Sequence, residues 1–234
     1  MKTLVIHAAA LRERGEHMDR MLRRFNMDYE FVKEADLDHL DAQLMGRFFK
    51  DGEKLQPTAR YSCAAKHFLA YEKIVAEGME GALVLEDDIV LNDGFCKYFE
   101  QSLDELHRDY DGRPVIISYE DSALRFVPRS QREKGRLLYP AKKGRMAGCY
   151  YINDVAAKAI QEQLSMERCD EPIDWYHNTL INKGILECLW CQPTIATQGT
   201  FSGAFVSSLN NDGPFVRLRW LFKKNYKKLL YWLR

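Results

Sequence analysis

The sequence lacks any apolar run that approaches the roughly 18 residues of a membrane-spanning helix, so no transmembrane segment is predicted. It also shows no signal peptide, because only a few apolar residues follow Met1-Lys2 before polar ones begin. Its six cysteines are scattered along the chain, and in a protein without an export signal they are expected to be free thiols in a reducing compartment. We therefore expect a cytoplasmic protein.

Several signature motifs are missing as well. There is no G-x-x-x-x-G-K-[ST] or G-x-G-x-x-G sequence, so a glycine-rich loop that cradles phosphate is not supported, and G-x-S-x-G is also absent. One C-x-x-C pair, Cys188 and Cys191, is present. A zinc site would need a second ligand pair, for which Cys169 and His177 are poorly spaced. A redox pair would stand at a helix start, so these two cysteines are interpreted as structural thiols.

The charge is balanced overall but not locally. The 34 basic and 34 acidic residues cancel, yet residues 217–234 contain seven Lys/Arg and no acid, which leaves a net charge of −7 on residues 1–216. Aromatic and apolar residues interleave with these cations, as in amphipathic helices that lie on anionic membranes. We therefore predict a main domain over residues 1–212 and a basic amphipathic tail over residues 213–234, of which residues 215–234 contact the membrane surface.

Two other interpretations of this tail stay open. The tail could be a helix that packs on the main domain. It could also bind nucleic acid, but an acidic domain would repel a phosphate backbone, and no nucleic-acid-binding motif is present. We therefore predict no nucleic-acid partner.

Hydrophobic periodicity predicts an α/β fold. The opening strand, helix and strand predict a right-handed parallel unit. Strands are predicted at 3–6, 29–32, 114–118, 148–152 and 186–190, and helices at 12–25, 62–77, 94–107, 154–164 and from Pro172 onward. Ser62 is a plausible N-cap of its helix. Residues 121–145 hold eight basic residues and two acids, which predicts either a solvated loop or a contact surface for an anionic substrate.

Residues 82–88 join a predicted buried strand to an acidic motif. The apolar run Ala82-Leu83-Val84-Leu85 leads directly into Glu86-Asp87-Asp88, and apolar residues follow. A continuously apolar run predicts a strand buried on both faces, and ligands of open α/β sheets lie beyond the carboxyl ends of the strands. Three carboxylates there are costly without a cation, which favours Mg²⁺ or Mn²⁺ held by oxygen ligands. The alternative is a helix N-cap with an acidic first turn.

Two further side chains are ambiguous on their own. His67 lies on a half-apolar helix face, where a hydrogen-bonded core histidine is more common than a catalytic one. Asp174 precedes Trp175 in the helix that Pro172 opens, where it could simply cap the helix.

Taken in order, these pieces resemble glycosyltransferase family 25, the lipooligosaccharide galactosyltransferases of Gram-negative bacteria. The helix 62–74, S-C-A-A-K-H-F-L-A-Y-E-K-I, is similar to the family's G-C-x-x-S-H-x-x-A-Y-E-K-I, with serine and lysine at two positions. Residues 82–88, A-L-V-L-E-D-D, match A-L-x-L-E-D-D. Weaker matches are Glu13-Arg14, the strand 149–152, Asp174-Trp175 and the segment 193–198 that ends at Gln198.

The resemblance implies a GT-A-like, Rossmann-like fold with a mixed, mainly parallel sheet flanked by helices, here followed by a C-terminal amphipathic helix. It implies an inverting, metal-dependent transfer of galactose from UDP-galactose to a lipid-linked lipooligosaccharide core acceptor through a β-1,4 linkage, at the inner membrane. Asp88 and Glu86 would hold Mn²⁺ or Mg²⁺, and Asp174 would be the catalytic base. The residues implied to bind the nucleotide sugar are Glu86, Asp87, His67, Arg14 and Gln198.

Two alternatives to this function stay open. The same fold could use another UDP-sugar such as UDP-glucose, because the sequence does not separate sugars that differ at one hydroxyl. It could also be a non-catalytic sugar- or partner-binding module, although the intact acidic triplet, Glu86-Asp87-Asp88, argues against this.

Overall fold

The computed structural model of the chain describes residues 1–202, 205 and 216–234. The predicted boundary between residues 212 and 213, and Phe215 at the start of the predicted membrane-contacting segment, lie outside these ranges.

Nine strands and eight α-helices are found in the described residues. The strands are β1 (Thr3–Ile6), β2 (Tyr29–Val32), β3 (Gly81–Glu86), β4 (Ile89–Leu91), β5 (Val115–Ser118), β6 (Leu138–Ala141), β7 (Cys149–Asn153), β8 (Glu187–Cys191) and β9 (Ala196–Gln198). The helices are α1 (Arg12–Arg24), α2 (Ala42–Phe48), α3 (Ala59–Ala76), α4 (Phe95–Asp109), α5 (Asp154–Met166), α6 (Ile173–Asn182), α7 (Gly199–Ser202) and α8 (Val216–Leu233).

Seven strands form one mixed sheet in the order β2-β1-β3-β7-β5-β8-β6. The pairs β1–β2, β1–β3 and β5–β8 are parallel, whereas β7 and β6 run antiparallel to their neighbours. The remaining two strands, β4 and β9, form a separate antiparallel pair. The mainly parallel sheet with helices on both sides confirms the predicted Rossmann-like α/β architecture, including the parallel β1-α1-β2 unit.

The apolar run of β3 is continuous because both of its faces are buried. Ala82 and Val84 belong to the core under α2, α3, α5 and α6. Leu83 and Leu85 belong to the opposite core, under α1 and α4. Since side chains alternate along a strand, Glu86 continues the Val84 side and lies towards α3.

Three local predictions differ from the structure. Helix α3 begins earlier than predicted, because the Thr58 side chain accepts from the Tyr61 amide and is its N-cap. Ser62 is instead a buried helical residue that donates to the carbonyl of Ala35 at 2.6 Å. The basic stretch 121–145 is not only a solvated loop, since it contains β6 and the fully buried Arg145.

Hydrogen bonds and an aromatic ring compensate the buried charge of Arg145. Its Nε donates to the carbonyl of Arg125, and its Nη1 donates to the carbonyls of Ser118 and Cys191. The guanidinium lies over the Trp190 ring. It therefore ties the basic stretch to the ends of β5 and β8.

The six cysteines, among them Cys188 and Cys191 of the C-x-x-C pair, are all free, as the sequence predicted. Segment 197–202 contains the end of β9 and the short helix α7.

Helix α8 packs on the domain mainly through one face. Trp220 is buried, Lys224 forms an ion pair with Asp121 at 2.7 Å, and the Tyr231 ring contacts Phe126. Within the described residues, no helix is long and apolar enough to cross a membrane.

Candidate functional site

The site is built where β3 ends. The Glu86 amide donates to the carbonyl of Gly148 and completes the strand, and Asp87 and Asp88 then form a tight turn into β4. Pairing of β4 with β9 brings Gln198 and α7 to this turn, and the Gly199 amide donates to the Asp88 carbonyl at 2.6 Å. The sheet therefore buries Asp87 and Asp88 and leaves Glu86 only partly exposed.

Asp87 is neutralised within the protein. Its Oδ2 accepts from His7 Nδ1 at 2.8 Å and from the Ala8 amide at 3.3 Å, and its Oδ1 accepts from Arg14 at 3.0 Å. Burial opposes its ionisation, but the hydrogen bonds from His7 and Arg14 outweigh burial and lower the pKa of Asp87. This carboxylate fixes the loop after β1 against the turn.

Glu86 has no cationic partner of this kind among the described residues. Gln198 donates to its Oε2 at 2.8 Å, the Cys63 thiol lies 3.7 Å from Oε1, and His67 Nε2 lies 3.6 Å from the same oxygen. Burial and the nearby negative charges of Asp87 and Asp174 raise the pKa of Glu86 to about 7.

Asp88 also has no cationic hydrogen-bond partner among the described residues. The Thr200 hydroxyl donates to its Oδ2 at 2.6 Å, while its buried Oδ1 has no hydrogen-bond partner in the described part of the chain. Burial and the charge of Glu86 raise the pKa of Asp88 to about 6. Glu86 and Asp88 repel each other, and Asp88 Oδ1 has no hydrogen-bond partner among the described residues. A divalent cation with oxygen ligands would compensate both carboxylates. The residues present therefore fit a hard metal ion.

His67 opens a buried hydrogen-bonded chain. Its Nδ1 lies 2.6 Å from the Tyr150 hydroxyl, which contacts the Tyr71 hydroxyl at 2.5 Å, and Tyr71 in turn contacts His177 Nε2 at 2.7 Å. Burial lowers the pKa of both histidines to about 3, so both rings are neutral. The other nitrogen of His67, Nε2, faces Glu86.

Asp174 lies in the first turn of α6, half-buried. Its charge is among the causes that raise the pKa of Glu86, and at His67 it opposes the larger lowering effect of burial; Arg125 and His67 act on Asp174 in return. Burial raises the pKa of Asp174 above its usual value. Asp174 is thus close enough to the Glu86 turn to influence it electrostatically.

The structure brings the sequence-predicted residues into one neighbourhood. Glu86 contacts His67 and Gln198 directly, while Asp88 and Asp174 act on it through charge. Asp87 and Arg14 form a pair at the side of the turn.

Several residues of the site were not singled out from the sequence. Glu120, fully buried, accepts from the Gly148 and Cys149 amides, and burial raises its pKa to about 8. Cys63 and Thr200 were missed as contacts of the carboxylates. Glu120 follows β5 as Glu86 ends β3, so the rule that carboxyl ends of strands carry ligands could have found it. No local signal marks Thr200.

Comparison with known proteins agrees with this geometry. The family model of glycosyltransferase family 25, described as LPS biosynthesis protein, matches residues 1–176. The chain therefore belongs to glycosyltransferase family 25. No curated protein shows significant similarity to it. Membership makes the chain a glycosyltransferase of lipopolysaccharide biosynthesis, with a nucleotide-sugar donor and an oligosaccharide acceptor.

The raised pKa of Glu86 predicts a pH-dependent stability of the metal-free protein. The folded state binds this proton more tightly than the unfolded chain does, so the stabilising contribution is present below the ordinary value of 4.5 and is lost as the pH rises through about 7. Glu86→Gln should therefore reduce the loss of unfolding free energy between about pH 5 and about pH 8 by on the order of 1–3 kcal/mol.

Urea unfolding in the presence of EDTA measures this difference. The exposed Glu162 provides the matched control, because Glu162→Gln should leave the pH dependence as in the wild type. An unchanged pH dependence in Glu86→Gln would contradict the assignment.

Proposed function

We propose that this family 25 enzyme transfers galactose from UDP-galactose to a lipooligosaccharide core acceptor with inversion, through a β-1,4 linkage, and that it needs Mn²⁺ or Mg²⁺. The observation that carries the metal requirement is the buried Oδ1 of Asp88, which lies beside Glu86 at the carboxyl end of β3 and has no hydrogen-bond partner among the residues that the structure describes. The family supports the transfer of a sugar. The resemblance of the helix and acidic motifs to lipooligosaccharide galactosyltransferases supports the choice of sugar and linkage.

Asp88 and Glu86 are the proposed metal ligands. Held by these carboxylates, the ion would neutralise negative charge that develops on the departing UDP. Gln198 donates to Glu86 Oε2 and Thr200 donates to Asp88 Oδ2, so both carboxylates are held in orientation by a neighbouring side chain. Such second contacts are the usual support of metal ligands.

The nucleotide sugar is proposed to lie against the turn, in contact with Glu86, Asp87, His67, Arg14 and Gln198. Arg14 is suited to stabilise negative charge there, because its guanidinium is retained near the turn by Asp87. Asp87 also fixes His7 and the loop after β1. We expect this loop, which borders the turn, to form one wall of the donor site.

Asp174 is the proposed general base. It would accept the proton of the acceptor hydroxyl while that oxygen attacks the anomeric carbon in line, and UDP leaves from the opposite side, so a single displacement inverts the configuration. Burial raises the pKa of Asp174, which strengthens it as a base. Its electrostatic influence on Glu86 supports a position beside the proposed donor site.

Helix α8 is proposed to dock the enzyme on the anionic inner membrane, where a lipid-linked acceptor would be found. At 100° per residue, Trp220, Lys224 and Tyr231 share the face that packs on the domain. The opposite face is apolar and exposed, and we call it the α8 outer face: Leu218, Leu221, Phe222, Leu229 and Leu233. Trp232, at the edge of this face, is half exposed and contacts the Arg129 guanidinium.

Cations flank the α8 outer face. Arg219, Lys223 and Lys227 are exposed along one side of it, and Lys228 along the other. An apolar stripe bordered by lysine and arginine suits the boundary between acyl chains and anionic headgroups. Since the packed face is already used by the domain, the α8 outer face can contact a membrane without unfolding or undocking the helix.

For the metal ligand, Asp88→Asn removes one anionic oxygen donor. We expect UDP to raise the melting temperature of the wild type only when Mn²⁺ is present, and to lose this effect in Asp88→Asn, because binding to the folded state stabilises it by mass action. Galactose transfer should fall by roughly 1,000-fold, as several kcal/mol of charge stabilisation are lost. Asp93→Asn, an exposed acid five residues on, is the control. A metal-dependent shift that survives in Asp88→Asn would refute the assignment.

For the base, Asp174→Asn should lower kcat by about 10²–10⁴-fold while UDP-galactose binding stays as in the wild type. Exposed Asp170→Asn, just before the same helix, should keep full turnover. Unchanged kcat in Asp174→Asn would remove it as the base. A parallel donor series with UDP-glucose tests the sugar, and UDP-sugar binding without turnover in the wild type would instead support a binding module.

For the membrane, we compare binding to phosphatidylcholine vesicles with and without phosphatidylglycerol. This comparison distinguishes attraction to anionic headgroups from burial of apolar side chains. The double variant Phe222→Ser with Leu229→Ser should weaken binding to anionic vesicles by at least about tenfold, since each buried apolar side chain contributes about 1.5–3 kcal/mol. Met166→Ser, an equally exposed apolar residue on α5, is the control. Equal binding of both variants, or no preference for anionic vesicles, would count against docking by α8.

A further inference from the structure

We infer that Cys63, His67 and Glu86 form a second cation site, selective for zinc-class transition metals, beside the proposed Mn²⁺ or Mg²⁺ ligands. The three candidate ligand atoms, one thiol sulfur, one imidazole nitrogen and one carboxylate oxygen, all lie within 4.8 Å of one another. A tetrahedral zinc ion with bonds of about 2.0–2.3 Å places its ligands roughly 3.3–3.8 Å apart. The distances of 3.7 Å from Cys63 Sγ and 3.6 Å from His67 Nε2 to Glu86 Oε1 are already in this range.

The backbone explains why these side chains converge. Cys63 and His67 are four residues apart on α3, so they project from the same face of the helix. Glu86 ends β3 on the side that faces α3, and Gln198 holds its other oxygen. Only small side-chain movements would therefore bring the three ligands to bonding distance.

His67 is arranged as a metal ligand usually is. A histidine that binds a metal through one nitrogen normally donates its other N–H to a fixed partner. Here Nδ1 lies 2.6 Å from the Tyr150 hydroxyl, which continues to Tyr71 and His177. Nε2 is completely buried, has no hydrogen-bond partner among the described residues, and faces Glu86 Oε1. If Nδ1 donates to Tyr150, the lone pair of Nε2 is available for an ion.

The ligand chemistry selects the ion. Binding would break the Cys63 S–H bond, release its proton to solvent and form a sulfur–metal bond. A thiolate and a carboxylate then neutralise the two charges of the cation, while the imidazole stays neutral. Sulfur and nitrogen ligands favour Zn²⁺ over Mg²⁺ or Mn²⁺, which prefer oxygen. Asp88, with Thr200, provides oxygen and no sulfur, so the two sites would choose different ions.

The two sites share Glu86. On the basis of the proposed function, zinc on Cys63 and His67 would withdraw this carboxylate from the Mn²⁺ site and inhibit transfer. Occupancy itself does not depend on that function, so it is measured without donor or acceptor.

The test titrates the full-length, metal-free protein with Zn²⁺ against a chromophoric chelator. We expect one zinc per chain in the wild type, about 100-fold or more weaker binding in Cys63→Ser, and about 10–100-fold weaker binding in Tyr150→Phe, which removes the partner of His67. Cys96→Ser, another half-buried cysteine outside the cluster, should bind as the wild type does.

A spectroscopic measurement makes the result independent of variant folding. Co²⁺ added to the wild type should produce a thiolate-to-cobalt charge-transfer band that Cys63→Ser lacks. Absence of this band in the wild type, or zinc binding that Asp88→Asn abolishes and Cys63→Ser retains, would overturn the inference. Because neither measurement uses a sugar donor, failure here leaves the proposed transfer reaction to its own tests.

Discussion

The cost of burying carboxylates at the end of β3 is the constraint on which the site depends. Glu86, Asp87 and Asp88 follow a strand whose two faces are covered by separate cores. Removing a carboxylate from water is unfavourable unless hydrogen bonds or an opposite charge replace the solvent. The three residues meet this requirement in different ways, and that difference separates the structural carboxylate from the two proposed to bind metal.

Asp87 is compensated by the protein itself, through His7, Arg14 and the Ala8 amide. Among the described residues, Glu86 and Asp88 accept from neutral donors, Gln198 and Thr200, and burial raises the pKa of both. The proposed cation would supply the missing positive charge. This proposal rests on burial and hydrogen bonding, whereas the family match shows a glycosyltransferase.

A hydrogen bond and an ion pair connect the site to helix α8. Asp121 accepts from Thr197 and pairs with Lys224, so the strand that positions Gln198 also contacts α8. The same helix exposes its apolar outer face on the opposite side. Under the proposed docking, this packing would connect the turn that carries the carboxylates to the helix face that contacts the membrane.

Much of the fold was readable from the sequence, because it depends on local pattern. The short apolar run of β1 and the alternating pattern of β2 predicted strands with the observed bounds, and the run before Glu86 predicted burial on both faces. The family resemblance also lay in local motifs, which the family match confirms. Prediction was weaker where local cues compete: Ser62 resembled an N-cap but is buried against Ala35, and Arg145 belonged to a basic run but fills the interior.

By itself, the sequence determined the α/β class, the family and the presence of three consecutive carboxylates at a strand end. Only the tertiary structure decided which carboxylate is paired and which is left uncompensated, because His7, Gln198 and Thr200 are brought to the turn by strand pairing across many residues. It also decided that Cys63 and His67 face Glu86, and that α8 presents one face to the domain and another outward. Burial and distance between remote residues set these outcomes, and neither is encoded in local periodicity.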